Sequence, residues 1–193
     1  MLTPWGYEVD ELPDLITVSD FNAATNDRYA GDARIEPAIA AASAAIRAYC
    51  GWHVAPVLDC SITLDGEAGD IWLPTNALAS VTSATVGGED VTVIGSNRRG
   101  RVRLAHKTCG LGNVVIDYVA GYDVAVCPDL MGVVVQRVMA SVAMTTYGVS
   151  QETAGGVSIS YSGSALSDLG SAFLPDSVKA ALSTYRLVRS HAA

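Results

Sequence analysis

The sequence predicts an α+β fold, and three observations carry that reading. Apolar residues recur at helical spacing over residues 33–50 and again from residue 128, and short alternating runs fill the stretch between. These strand candidates are grouped instead of being interleaved with helices. The expected architecture is a bundle-like core of three main helices. A strand-rich insert separates the first two long helices, and a β-hairpin precedes the C-terminal helix. The expected division is an extended arm over 1–18, helical core over 19–57, β-rich insert over 58–122, and the second helical part with hairpin and final helix over 123–193.

The first residues mix acids, Pro and aromatics without periodicity and read as extended. Ser19 is placed to cap a short helix over residues 20–24, its hydroxyl accepting from the free amides of the first turn, and Asn26-Asp27 breaks that helix. In the first long helix Ile35, Ile39, Ala42, Ile46 and Tyr49 form one stripe. Pro37 near its start and Gly51 just past its end suit those positions. The opposite side carries Ala40, Ala41, Ala44, Ala45 and Ala48 where a solvated face would carry Lys and Glu. Small uncharged residues there imply close approach by another element or another subunit.

Strands are expected over residues 60–64, 70–73, 81–86, 91–94, 101–104 and 114–119. Gly87-Gly88 joins two of them as a tight hairpin, since both positions tolerate positive φ, and Asn97-Arg98-Arg99-Gly100 makes another reversal. Pro128 opens the second long helix, expected to end before Gly148, with Leu130, Val134, Val138, Val142 and Thr145 on one side and Met131, Val135, Met139 and Met144 beside it. Only Gln136 and Arg137 interrupt its apolarity, which places the helix in a core or at an interface, with Arg137 assigned to the interface. Residues 157–161 alternate as a strand after Gly155-Gly156, and 163–170 form a Ser/Gly-rich loop. Pro175 starts the last helix, with Val178, Leu182 and Tyr185 on one face and Arg186 and Arg189 near its end, favourably set against the helix dipole.

Composition bounds the function. The chain is 50% hydrophobic and 17% charged over 193 residues, which excludes intrinsic disorder. A usual domain is about 25% charged, so the thin coat here implies that part of the surface meets protein instead of water. Mean hydropathy is +0.29, yet the longest apolar stretch, residues 130–144, is interrupted and falls short of the roughly 20 residues a bilayer requires. No membrane partner is expected, and the N-terminus shows no export signal. Twenty acids against 12 bases give a net charge of −8, which repels nucleic acid and anionic membranes at long range. Cys50, Cys60, Cys109 and Cys127 form no Cys-x-x-Cys pair and His53, His106 and His191 are scattered, so buried free thiols are expected, without metal or cofactor.

No catalytic constellation stands out, and no enzymatic activity is expected. Tyr161-Ser162-Gly163-Ser164-Ala165 lacks the leading glycine and following helix of a nucleophile elbow. Gly110-Leu111-Gly112-Asn113 has no third glycine and reads as the turn entering a strand. Asp32 and Glu36 suit the helix start, and Glu89-Asp90 sit in a solvated hairpin. His53, after Trp52, reads as a packed or hydrogen-bonded corner residue. The charge anomaly is basic: Arg98, Arg99, Arg101, Arg103 and Lys107 hold five of the 12 cations. Strand alternation sets Arg101 and Arg103 on one side and Val102 and Leu104 on the other, giving either a solvated face or a contact for acidic protein or DNA phosphates.

Residues 41–56, Ala-Ala-Ser-Ala-Ala-Ile-Arg-Ala-Tyr-Cys-Gly-Trp-His-Val-Ala-Pro, resemble the first long helix and following turn of head-to-tail adaptor (connector) proteins of tailed bacteriophages, especially the actinobacteriophage type. Further likenesses follow in the same order: Leu73-Pro74-Thr75, Val81-Thr82-Ser83, Arg98-Arg99-Gly100-Arg101, residues 115–123, Pro128-Asp129-Leu130, and Leu174-Pro175 through Tyr185-Arg186. The resemblance implies a non-enzymatic virion protein of the neck, forming a ring of commonly twelve copies beneath the portal and assembled in the host bacterial cytoplasm. Its implied partners are itself, the portal, the stopper or tail-completion protein, and transiently the genomic DNA in the channel. Carried over, it places Ala41, Ala44, Ala45, Ala48 and Arg137 at subunit contacts, and Val178, Leu182, Tyr185, Arg186, Val188 and Arg189 toward the portal. The alternatives are another neck or tail protein, such as a stopper or tail terminator, or a small soluble enzyme with an unrecognised site.

Overall fold

The structure is a computed structural model, and it describes residues 1–66, 70–106, 108–143, 151–154, 157–160 and 174–187. Among them the fold is α+β, with four helices and antiparallel sheets. The chain divides into two compact units: residues 1–13, 50–127 and 185–193 form the first, and residues 14–49 and 128–184 the second.

The first unit is the β part. Strands β1 (Tyr7–Val9), β2 (Leu58–Gly66), β4 (Leu78–Val86), β5 (Glu89–Asp90) and β8 (Gly110–Ala120) make one sheet in the order β1-β2-β8-β4-β5. Strands β3 (Ile71–Trp72), β6 (Val93–Ser96) and β7 (Arg101–Leu104) make a second in the order β3-β7-β6. Alternation along β8 turns Val114, Ile116, Tyr118 and Ala120 inward, while Val115, Asp117 and Val119 stay half-buried on the other face. The inner faces of both sheets share one core: Ile71, Val102 and Leu104 from the smaller, Ile62, Ile116 and Tyr118 from the larger. Gly87 and Gly88 join β4 to β5 with φ of 61° and 87°, a two-residue turn that twists with its strands.

Part of the N-terminal segment is a strand. Tyr7, Glu8 and Val9 pair with Ile62, Ser61 and Cys60 as an edge strand, and Tyr7 and Val9 are buried. Three residues are too few to show a period, so packing and not pattern makes this strand.

The second unit is mainly helical. Helix α1 (Val18–Ala24) starts two residues earlier than expected because Thr17, not Ser19, is its cap. The Thr17 hydroxyl accepts from the Asp20 amide at 3.1 Å and the Asp20 carboxylate accepts from the Thr17 amide at 2.9 Å, a reciprocal box. Helix α2 (Ile35–Cys50) buries Ile35, Ile39, Ala42 and Ile46, and Ser43 Oγ accepts from the Leu15 amide at 3.0 Å. Helix α3 (Pro128–Ala143) buries Leu130, Val134, Val138 and Val142. Arg34 Nη1 donates to the Val142 carbonyl at 3.3 Å.

Strands β9 (Gln151–Ala154) and β10 (Val157–Ser160) pair antiparallel as the expected hairpin. Helix α4 (Asp176–Leu182) packs on α3, and its Lys179 carbonyl accepts from Tyr49 Oη at 3.1 Å. This helix ends at Leu182, and Arg186 lies four residues beyond it. Met144, Thr145, Tyr147, Gly155, Gly156 and residues 161–170 lie outside the described residues. Among the described residues no helix is long and apolar enough to cross a membrane.

Candidate functional site

The chemistry-bearing residues of the first unit gather on three features. The first is the outer face of the smaller sheet. Alternation in β7 exposes Arg101 and Arg103 and buries Val102 and Leu104, as the sequence implied. Register then sets Trp72 opposite Arg101, with Asp70 just before β3. The Asp70 carboxylate accepts from Arg101 in a short contact and from Arg103 Nε at 2.6 Å, and its side chain is only 10% exposed. The Arg103 guanidinium, with Arg101 beside it, holds the Asp70 carboxyl well down, at about 2. The Arg101 guanidinium lies 5.8 Å from the Trp72 ring centre, and Trp72 stays 57% exposed.

The basic strip is therefore not one uniform run. Arg101 and Arg103 are braced by one carboxylate, which leaves a surplus of positive charge held in a fixed geometry. Arg98 lies over the Tyr122 ring at 5.5 Å, while Arg99 is exposed at the β6–β7 turn. Lys107 lies outside the described residues. Sequence reasoning missed Trp72 and Asp70. Trp72 lies within the strand expected over 70–73, where Ile71-Trp72-Leu73 reads as uniformly apolar, and Asp70 stands 31 and 33 residues from its partners, joined to them only by the β3–β7 pairing.

The second feature is the outer face of the larger sheet, which is acidic. Glu8, Ser61, Asp117 and Ser83 lie in one cross-strand row. Both Asp117 oxygens accept from serine hydroxyls, Ser61 Oγ and Ser83 Oγ, each at 2.6 Å. A shallow groove of about 320 Å³ runs there, with carboxylates from Glu8, Asp10, Asp59 and Asp117 and no Lys or Arg side chain among its lining residues.

The third feature is a buried polar knot around His53. Tyr7 Oη donates to His53 Nδ1 at 2.7 Å and accepts from the His53 amide at 3.0 Å. His53 Nε2 then donates to the Ala120 carbonyl at 3.0 Å, so this pattern selects the Nε2–H tautomer. His53 is 1% exposed, which makes it the hydrogen-bonded corner residue expected and closes it to a ligand. Gly121 sits against the same corner: a Cβ there would lie 2.2 Å from the Pro56 carbonyl oxygen and 2.9 Å from His53 Nε2.

The remaining assigned residues divide by exposure. On α2, Ala41, Ala44 and Ala48 are exposed and Ala45 is half-buried, so the alanine face lies outside the chain's own core. Arg137 is half-buried on α3. Among the residues assigned to the portal, Leu182 and Tyr185 are buried at 0% and 6% exposure, so the chain's own packing uses their surface. Val178 is half-buried and Arg186 exposed, whereas Val188 and Arg189 lie outside the described residues. Trp52 Nε1 donates to the Tyr185 carbonyl at 2.7 Å, and the Leu187 amide donates to the Cys50 carbonyl at 2.9 Å, which ties the C-terminal stretch down.

Three cysteines are buried, and burial pushes the Cys50 and Cys60 thiols up to about 12. Cys109 departs from expectation and is exposed, because it sits in the turn entering β8. Glu89 and Asp90 are exposed, and Asp32 chelates Arg34 with Nη2 to Oδ2 at 2.6 Å. Among the described residues no group of three His, Cys, Asp or Glu could hold a metal ion.

No family model matches the chain, and no curated protein matches it. Solved structures do. A chain of the neck of a native gene transfer agent particle, with C12 symmetry, aligns at TM-score 0.56 and 17% identity, covering 95% of this chain and 98% of that one. A chain of the neck of an empty particle, with C6 symmetry, gives 0.61 and 17%, covering 97% and 98%. A chain of the native gene transfer agent virion gives 0.62 and 17%, again covering 97% and 98%. Coverage this complete at such low identity means that the whole fold is shared.

Proposed function

We propose that this chain is a structural, non-catalytic protein of the neck of a tailed particle: a head-to-tail adaptor that forms a ring beneath the portal, contacts the stopper or tail-completion protein, and lets DNA pass through its axis. The observation that carries the reading is the end-to-end fold likeness to chains of particle necks, one of them with C12 symmetry. Chemistry points the same way. The exposed alanines of α2 suit close subunit packing, and a low share of charge suits a subunit covered on several sides. A ring with net charge −8 per copy repels phosphate, so duplex DNA slides through instead of sticking.

In this reading the α2 and α3 helices build the ring wall, Ala41, Ala44, Ala45, Ala48 and Arg137 lie at subunit contacts, and the C-terminal stretch with Arg186 approaches the portal. Electron microscopy of the purified chain, alone and mixed with its portal, tests it. Closed rings with an axial hole are expected, twelve copies in each. A chain that forms no ring in either condition overturns the adaptor role.

A further inference from the structure

The two sheets of the first unit carry opposite charge on their outer faces. Trp72, Arg101 and Arg103 project from the smaller sheet, with exposed Ile94 at the bulge in β6 and Arg99 at the turn beside it. Counting Arg99, Arg101 and Arg103 against Asp70, this face holds three cations and one anion in a chain of net charge −8. Glu8, Asp10, Asp59 and Asp117 line the groove on the larger sheet. Because the inner faces of both sheets meet in one core, the two outer faces look away from each other.

We infer that these faces are the two halves of one interface between copies: the Trp72–Arg101–Arg103 face of one copy docks on the acidic groove of the next. A second copy is the occupant because its groove supplies what the face lacks. It offers four carboxylates and no Lys or Arg side chain, and the α-ammonium of its lining residue Met1 donates to the Val9 carbonyl. A contact between two different faces that look apart is heterologous, and heterologous contacts repeat into rings when the rotation closes. Trp and Arg are the side chains that carry most interface energy when covered. Here Asp70 and the Trp72 ring already fix both guanidinium groups, so little side-chain freedom remains to be lost on docking. The inference deepens the ring reading by naming a contact within it.

The test is a charge swap in the full chain, read by mass photometry and sedimentation at low salt. One variant, Asp70→Arg/Arg99→Glu/Arg101→Glu/Arg103→Glu, turns three cations and one anion into three anions and one cation, and so inverts the basic face while keeping its internal pairing. The other, Glu8→Lys/Asp10→Lys/Asp59→Lys, turns the four groove carboxylates into three cations and one anion at exposed positions and leaves Asp117 with its serines. Each variant alone should associate about 10- to 100-fold more weakly than the parent chain, the scale of close charge pairs at interfaces. Their equimolar mixture should recover assembly, because inverted face meets inverted groove and the parental contact alternates with it. Circular dichroism checks that both variants are folded.

A parent chain that stays monomeric throughout, variants that assemble as it does, or a mixture that fails to recover each overturns the inference. None of these outcomes removes the chain from the neck, where alanine faces or the portal could organise the ring. Duplex DNA binding that the first variant loses while self-association is unchanged also overturns it, in favour of a nucleic-acid contact. Recovery by mixing, in a chain found elsewhere in the particle, upholds the interface and sinks the neck reading instead.

Discussion

Tyr7→Phe removes one oxygen atom and is expected to cost far more than an ordinary tyrosine hydroxyl. Tyr7 Oη serves two groups of the same buried residue, donating to His53 Nδ1 at 2.7 Å and accepting from the His53 amide at 3.0 Å. Tyr7 and His53 are each 1% exposed, so water does not replace the lost oxygen without opening the sheet. Leaving a buried donor or acceptor without its partner costs about 1–3 kcal/mol, and two such groups give roughly 2–5 kcal/mol once their shared position is allowed for. At this chain length about 2–4 °C accompanies each kcal/mol, so Tm should fall by roughly 4–20 °C. The ring contacts survive in Phe, since Tyr7 packs edge-on to His53 and Tyr118 at 5.7 and 6.3 Å between centres. Urea and thermal unfolding at low protein concentration, where self-association contributes little, measure the loss. Tyr122→Phe is the control: its Oη lies 3.5 Å from the Asn76 carbonyl, at the limit of a hydrogen bond, and its loss should stay within about 0.5 kcal/mol. A Tyr7→Phe loss no larger than that of Tyr122→Phe refutes the knot as a stabilising element.

Gly121→Ala should be among the most damaging substitutions in the first unit, because its Cβ meets the Pro56 carbonyl at 2.2 Å and φ is already 127°. Overpacking and a left-handed non-glycine backbone together cost about 3 kcal/mol or more, whereas Gly132→Ala in α3 meets nothing within 4 Å and should gain about 0.5–1 kcal/mol; paired denaturant curves compare them. The Asp70 carboxyl, held at about 2, favours folding when ionised, so its contribution is present above the usual value of 3.8 and fades as pH falls toward 2. Carboxyl NMR should show a midpoint near 2 in the parent chain, and a midpoint near 4 would mean that the Arg101 and Arg103 contacts do not form in solution. Under native conditions a thiol reagent should modify Cys109 rapidly and spare Cys50 and Cys60, whose buried thiols sit near 12; all four react in denaturant. Fast native labelling of Cys50 would contradict the burial.

Much of the fold was legible because it rests on local rules. The Ile35, Ile39, Ala42, Ile46 stripe gave α2, Gly51 its end, Gly87-Gly88 a hairpin, and the Arg-Val-Arg-Leu alternation of Arg101–Leu104 the two faces of β7. What was not legible depends on partners distant in sequence. β1 is a strand only because β2 offers an edge to Tyr7 and Val9, and β8 lies between β2 and β4 through pairings that no local pattern encodes. The Thr17 box was within reach, but Asp20 stands where Glu or Gln is the usual signal, and Ser19 competed for the cap. Of the candidate site, the arginines were visible as a run, while the brace of Arg101 and Arg103 at Asp70 and the placing of Arg101 over Trp72 waited on the β3–β7 register. Leu182 and Tyr185 looked available on a helix face, and only the folded chain reveals that its own packing takes them.

Position in the particle tests the central claim most directly. Gold labelling of a tagged copy of this chain, imaged on tailed particles that carry it, should mark one spot per particle, at the junction of head and tail. Label spread over the shell, running along the tail, or missing from the particle altogether would contradict a neck protein.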